Sequence, residues 1–316
     1  MSNGSDQRAP AAKPGAEAVI SDQAVIVWGE VLWDRFPDGD KLGGAPSNVA
    51  WHLGLAGGWA RLVSRVGDDA AGREAIERLS NVCDADLIQI DSERPTGEVR
   101  VAIENGEPRY TLVPGCAWER IECTADVAAA LGEAGVMVYG TLAQHTETGI
   151  AGWRAAIAAA HGSCLKVCDV NLRRLSIAPP VEQRAVKEAI AAADIIKVND
   201  QELTRIADWF GWLDPLAELR AGRRVVAVTH GKNGATLYGD KEIVTIAGVQ
   251  SKPGGDNVGC GDAFVALFVH GMTLGWDLRT SGTAACRWAA AVAGVRGATP
   301  MFDEEQIAEL LGEAAS

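Results

Sequence analysis

The chain predicts a three-layer α/β fold with a mainly parallel central sheet and a small β-sheet lid, on three observations. Short continuous apolar runs alternate with Ala-rich stretches of helical period along most of its 316 residues. Runs undivided by polar residues suit parallel strands covered on both faces by helices. Two segments, 31–42 and 96–113, break that rhythm and read as short strands of a separate sheet. The length suits one large domain or two small ones, and 47% hydrophobic residues supply a substantial core.

The elements follow in order. Residues 1–22 are rich in Ala, Pro, Gly and Ser, without the apolar centre of a secretory signal or the Arg-rich pattern of a transit peptide. They read as a flexible leader to a single domain spanning 23–316. AVIVWGE (24–30) is the first strand, SNVAWHLGLAG (47–57) a helix, ARLVSRVG (60–67) a strand, and 69–79 a helix. Further strands are expected at 136–140, 166–170, 194–199 and 224–231, with helices over 147–161, 181–192 and 200–208. Within 96–113, Asn105-Gly106 between alternating residues marks a hairpin. The two interrupting segments are too short for a core of their own, so they are expected to pack together and stand off the main domain.

Composition narrows the function. No apolar stretch approaches the roughly 20 residues that span a bilayer. A net charge of -13 argues against a nucleic-acid binder, and speaks to solubility, but leaves a nucleotide ligand open. Seven cysteines show no zinc-type spacing, and their odd number favours reduced thiols in a cytoplasm.

The most informative stretch is GGDNVGCGDAF (254–264), which leads into an apolar helix ending at Gly271. Small residues before a helix leave successive N–H groups open at the positive end of the helix dipole, where an anion binds. Asp262 at that mouth suits a proton acceptor for an attacking hydroxyl; the plain alternative is a helix cap after a glycine turn. A second pair, Gly43-Gly44, opens the first helix, with Asn48 offering donor and acceptor to a polyol; Pro46 there also suits an ordinary helix start. Asn199 and Glu202 face one way on an opening helical turn and suit either Mg²⁺-bound water or simple capping.

In combination, GGAPSNVA (43–50), VSRVGDDAAG (63–72), NDQE (199–202), VTHGKNGA (228–235) and DNVGCGDAF (256–264) resemble the ribokinase-like (PfkB) family of carbohydrate kinases over residues 24–313. The resemblance implies a ribokinase-like sandwich with a β lid, and the use of ATP and Mg²⁺. It implies Asp262 as the catalytic base and the amides of Gly259, Cys260 and Gly261 as an anion hole. Asn199 and Glu202 would organise Mg²⁺ through water; Thr229, Gly231 and Gly234 would line the nucleotide. Asp34, Gly43, Gly44 and Asn48 would hold the sugar, and Asp256 a monovalent cation such as K⁺. Asn257 and Cys260 depart from the Thr and Ala usual in this motif. Cys260 reads first as a small residue filling the place of Ala; the alternative is a thiol at a helix N-terminus with a lowered pKa, open to oxidation.

The segment from Gly29 to Gly57 resembles the fructokinase branch, since ribokinases more often carry Gly-Lys where Ala45-Pro46 stand. PGCAWERI (114–121) also resembles a fructokinase segment, with Trp118 available to pack against a sugar face; lid packing is the plain alternative. DVNLRR (169–174) places Asn171 and Arg173 as polar contacts. Fructose leads ribose, 2-keto-3-deoxygluconate and a nucleoside. Of ten tryptophans, Trp28, Trp33, Trp51 and Trp118 fall near the expected pocket, whereas Trp209, Trp212, Trp276 and Trp288 read as packing. A dinucleotide-dependent oxidoreductase lacks its G-x-G-x-x-G after the first strand, where only Gly29 stands. A non-catalytic sugar sensor would not need Asp262, Asn199 and Glu202. Homodimers pairing through a lid face of Val99, Val101 and Ile103 are a further expectation; the alternative is that this face covers the chain's own pocket.

Overall fold

A computed structural model describes residues 23–36, 39–104, 107–172 and 179–312. The leader 1–22, the Asn105-Gly106 turn, Arg173 and the side chains of Val101 and Ile103 lie outside the described residues.

The chain opens with β1 (Val25–Trp28), then β2 (Leu32–Phe36), β3 (Gly39–Gly43) and α1 (Ala45–Leu55). β4 (Ala60–Gly67), α2 (Ala70–Ser80) and β5 (Ile88–Asp91) complete the first unit. β6 (Gly97–Glu104) and β7 (Glu107–Leu112) follow. Alternating helices and strands come next: α3 (Ala125–Glu133), β8 (Val136–Tyr139), α4 (Glu147–Ala159), β9 (Leu165–Asp169), α5 (Pro179–Ala192) and β10 (Ile195–Asn199). After α6 (Asp200–Phe210), α7 (Pro215–Arg220) and β11 (Val225–Thr229), the strands β12 (Gly234–Gly239) and β13 (Ile243–Ala247) close the sheet. The chain ends in α8 (Cys260–Thr273), α9 (Leu278–Ala293) and α10 (Glu304–Leu311).

Nine strands form the main sheet in the order β13-β12-β11-β10-β9-β8-β1-β4-β5. Pairing is parallel from β11 to β5, and only β12 and β13 run antiparallel. Successive side chains of a strand point to opposite faces, and β1 shows what that does. Val25 and Val27 enter one core with Phe264 and Leu267 of α8, whereas Ile26 and Trp28 enter the other with Val127 and Ile150. Two buried layers of helices therefore sandwich the sheet.

The interrupting segments pair as expected, in a four-stranded sheet of order β3-β2-β6-β7. Its junction to the main body is short, since β3 ends at Gly43 and α1 begins at Ala45. Between them Gly44 has φ 101, and a β-carbon there would lie 2.3 Å from the carbonyl oxygen of Glu30. Only glycine satisfies both constraints.

Three details differ from expectation. β5, β12 and β13 were not anticipated. α1 starts at Ala45, with Pro46 inside its first turn, where the missing N–H is harmless. α8 continues past Gly271 to Thr273. A β-carbon on Gly271 would meet Ser281 Oγ at 2.6 Å, so this glycine lets α9 approach and does not end the helix.

Candidate active site

The chain just after β9 and the end of β10 meet the N-terminus of α8, through Asn171 against Asp262 and Lys197 beside Gly261, and ligands of open α/β sheets bind at such strand ends. The turn into α8 is made by Asn257 (φ 58) and Gly259 (φ 78). A β-carbon on Gly259 would meet that of Ala298 at 2.6 Å. No side chain caps the helix, so its opening amides, those of Cys260 and Gly261 among them, are not claimed by a cap.

Asp262 follows in the first turn and is 2% exposed. Asn48 Nδ2, from the buried face of α1, donates to Asp262 Oδ2 at 2.7 Å. Asn171 Nδ2 approaches Oδ1 from the other side at 3.5 Å, on a backbone with φ 41. Asn48 Oδ1 is buried with no partner among the described residues. The structure thus brings Asn48, Asn171 and Asp262 together from chain positions far apart. Asp34 lies on β2, and its carboxylate leans across Gly43: a β-carbon there would stand 2.5 Å from Oδ2.

Asn199 and Glu202 form a reciprocal capping box on α6. Asn199 Oδ1 accepts from the Glu202 amide at 2.9 Å, and Glu202 Oε2 from the Asn199 amide at 2.8 Å. Glu202 Oε1 also accepts from the Leu172 amide at 3.0 Å. The capping alternative is therefore what the geometry displays. Each carboxylate oxygen keeps a second lone pair, so the pair fits a metal-bound water and not the metal itself. Among the described residues no group of three His, Cys, Asp or Glu is placed to hold a metal ion.

Thr229 ends β11, and Gly231 (φ 56) and Gly234 (φ 98) shape the loop behind it. A β-carbon on Gly234 would meet the Ile246 carbonyl at 2.1 Å. His230 ties this loop to α6, with Nδ1 2.8 Å from Asp200 Oδ1. A cavity of about 890 Å³ lies along α9, lined among others by Val249, Lys252, Arg287, Ala290 and Gly294.

Asp256 accepts from the amides of Val258 (3.1 Å) and Gly297 (3.0 Å), and Lys41 Nζ stands 3.8 Å from its Oδ2. It braces the glycine turn against the 295–298 loop. With an ammonium that near, it is a poor fit for a bare monovalent cation.

One expectation is corrected, and one alternative is ruled out. Trp118 is fully buried, its ring centroid 5.2 Å from that of His145 and its edge against Gly97, so it packs in the core and presents no face to a sugar. Trp28, Trp33 and Trp51 are likewise buried. Cys260 does not have a lowered pKa: burial, with the charges of Asp262 and Asp256, pushes its thiol up to about 11. The helix dipole is outweighed by desolvation and two nearby carboxylates.

One pair escaped the sequence. Lys197 Nζ lies 3.0 Å from Asp169 Oδ1, both nearly inaccessible. Burial works against the ammonium, but Asp169, Glu202 and Asp262 outweigh it and hold its pKa above that of an ordinary lysine. The only signal was a lysine inside the apolar run IIKVN.

The two-layered helical cover, the mainly parallel sheet and the small second sheet make up the architecture of the ribokinase-like sugar kinases. The structure of an uncharacterized sugar kinase, PH1459 from Pyrococcus horikoshii in complex with ATP, matches with TM-score 0.75 and 25% identity, over 89% of this chain and 96% of that one. Fructokinase from Vibrio cholerae O395 shares the fold, with TM-score 0.76 and 24% identity over 92% of this chain and 100% of that one. In sequence, PH1459 is 30% identical over 282 residues, 86% of each chain. A fructokinase of Vibrio alginolyticus is 28% identical over 285 residues, 84% of this chain and 90% of that protein. Residues 39–305 match the model of the pfkB family carbohydrate kinases. The chain belongs to that family and is a sugar kinase, a phosphotransferase.

Proposed function

We propose that this kinase transfers the γ-phosphate of ATP to a hydroxyl of a small sugar, with fructose as the leading acceptor and Asp262 as the base. The observation that carries the reading is Asp262 in the first turn of a helix whose opening amides no side chain caps, held by Asn48 from the other end of the chain. Several relatives named fructokinase support the choice of sugar, and a relative bound to ATP supports the donor. Ribose, 2-keto-3-deoxygluconate and a nucleoside are the other acceptors to compare.

The residues act as follows. Asp34, Gly43, Gly44 and Asn48 hold the sugar between the small sheet and α1. Asn48 Oδ1, which has no partner among the described residues, accepts from a sugar hydroxyl. Asp262 takes the proton of the attacking hydroxyl, a role that contributes about 10²–10⁴-fold. Phosphoryl transfer needs alignment and neutralised charge more than covalent help. The amides of Gly259, Cys260 and Gly261 supply that neutralisation where charge develops. Asn171 steadies the carboxylate. Thr229, Gly231 and Gly234 line the nucleotide, and the cavity along α9 accepts its base. Mg²⁺, when bound with the nucleotide, offsets phosphate charge, with Asn199 and Glu202 reaching its water shell. The small sheet closes over the sugar and keeps water out.

No helix among the described residues is long and apolar enough to cross a membrane. We place the enzyme in the cytoplasm, where its cysteines stay reduced. Dimerisation through the small sheet is part of the same reading.

Incubation with ATP, Mg²⁺ and a panel of sugars tests the proposal. ADP release that depends on fructose is expected. Release dependent on another sugar moves the acceptor, and binding of a sugar without ADP release would identify a sensor.

A further inference from the structure

Lys197 stands at the centre of the site, yet the mechanism above does not use it. Its neighbours on β10, Ile195, Ile196 and Val198, are buried apolar residues, so packing alone does not call for a charge. Taking two ions out of water costs several kcal/mol each, and apolar replacements of a buried pair are often neutral or stabilising. The pair is not tuned for stability either, because Asp169 Oδ2 is buried with no partner among the described residues.

What the ammonium does have is a position. A β-carbon on Gly261 would stand 3.0 Å from Lys197 Nζ. The charge therefore stands beside the second residue of α8, in the first turn of that helix. Asp169, on the neighbouring strand β9, holds it there from the opposite side.

We propose that Lys197 is a positioning residue for phosphoryl transfer. Oriented by Asp169, it adds a fixed positive charge behind the opening amides of α8 as negative charge spreads over the phosphoryl group in flight. A side chain at Gly261 would crowd the ammonium, which stands 3.0 Å from where its β-carbon would go. No bond to Lys197 forms or breaks. The inference rests on the kinase reading and deepens it.

The test uses the double variant K197M/D169L, which removes the pair without leaving a lone buried charge. Thermal unfolding near that of the wild type is expected, with kcat down about 10²–10³-fold, the scale of losing one preorganised donor. KM for ATP and sugar should stay within about threefold, since uniform binding is untouched. In parallel, binding of ADP alone should be unchanged, whereas the complex of ADP, sugar and aluminium fluoride should weaken by a similar factor. A folded double variant with wild-type kcat and wild-type aluminium fluoride affinity would overturn the proposal. Should that variant not fold, Lys197→Arg is compared with Lys197→Gln: turnover kept by Arg and lost by Gln supports a role for charge, and equal losses reject it. Full turnover in Asp262→Asn would instead remove the assignment of the site itself, so the two failures are told apart.

Discussion

Asn48 Nδ2 donates to Asp262 Oδ2 at 2.7 Å, joining two residues 214 positions apart in the chain. The bond fixes the carboxylate in one rotamer and leaves Oδ1 turned toward Asn171. Hydrogen bonds to charged groups contribute roughly 1.5–3 kcal/mol. Asn48→Ala is therefore expected to lower kcat/KM about 10- to 100-fold. Asp262→Asn should lose nearly all turnover while ATP binding survives. Steady-state kinetics beside nucleotide titration check both, and unchanged kcat/KM in either variant would remove that residue's role.

Trp118 gives a contrasting case. Its side chain is fully buried, so Trp118→Ala should destabilise by roughly 3–5 kcal/mol, as large aromatic truncations do. The conservative Trp118→Phe should leave KM for the sugar within about threefold. Denaturant unfolding and kinetics decide; a large rise in KM with stability intact would restore Trp118 to the sugar pocket.

Cys260 is expected to resist thiol reagents at neutral pH. Burial and the adjacent carboxylates hold the thiol neutral until about pH 11, and the thiolate is the reactive form. Its alkylation rate, read as the difference between wild type and Cys260→Ala, should keep rising with pH to above 10. Rapid labelling at pH 7, with loss of activity, would contradict this.

His52 should make stability depend on pH. Its Nε2 donates to the Ala298 carbonyl at 2.9 Å, and its Nδ1 accepts from Trp288 Nε1 at 3.1 Å. Burial lowers its pKa to about 4, against 6.5 for the exposed group. Between those values the unfolded chain binds the proton and the folded one does not. The contribution is thus complete above pH 6.5 and is lost as pH falls toward 4, by about 3 kcal/mol in all. Unfolding curves of wild type and His52→Gln at pH 7 and pH 4.5 should show the extra loss in wild type alone.

Gly234→Ala should destabilise by more than about 1 kcal/mol, because its positive φ disfavours a side chain. The Ile246 carbonyl also stands 2.1 Å from where the β-carbon would go. KM for ATP should rise as the loop shifts. Thermal unfolding and ATP kinetics test it, and a neutral result would free this position of its constraint.

Much of the architecture was legible because it rests on local pattern. The run at 24–30 and the glycine pairs at 43–44 and 259–261 declare strand and helix entry through composition alone. β12 and β13 were not, because GATLYG and IVTIA sit among polar turn residues and are joined by antiparallel pairing, which needs no intervening helix. The site was legible where a residue type is rare in its setting, as with Asp262 after glycines. Lys197 was hidden because its meaning comes from Asp169 on another strand and from the missing side chain of Gly261. Trp118 misled because its surroundings, supplied by distant segments, decide its exposure.

β1 lies inside the main sheet, flanked by β4 on one side and β8 on the other. During synthesis it can pair with β4 early, but its other edge has no mate until Tyr139 has left the ribosome. For that interval the nascent chain carries a bare, apolar strand margin of the sort that invites sticking to other chains. Slowing translation before residue 136 should therefore lower the soluble yield and raise dependence on chaperones.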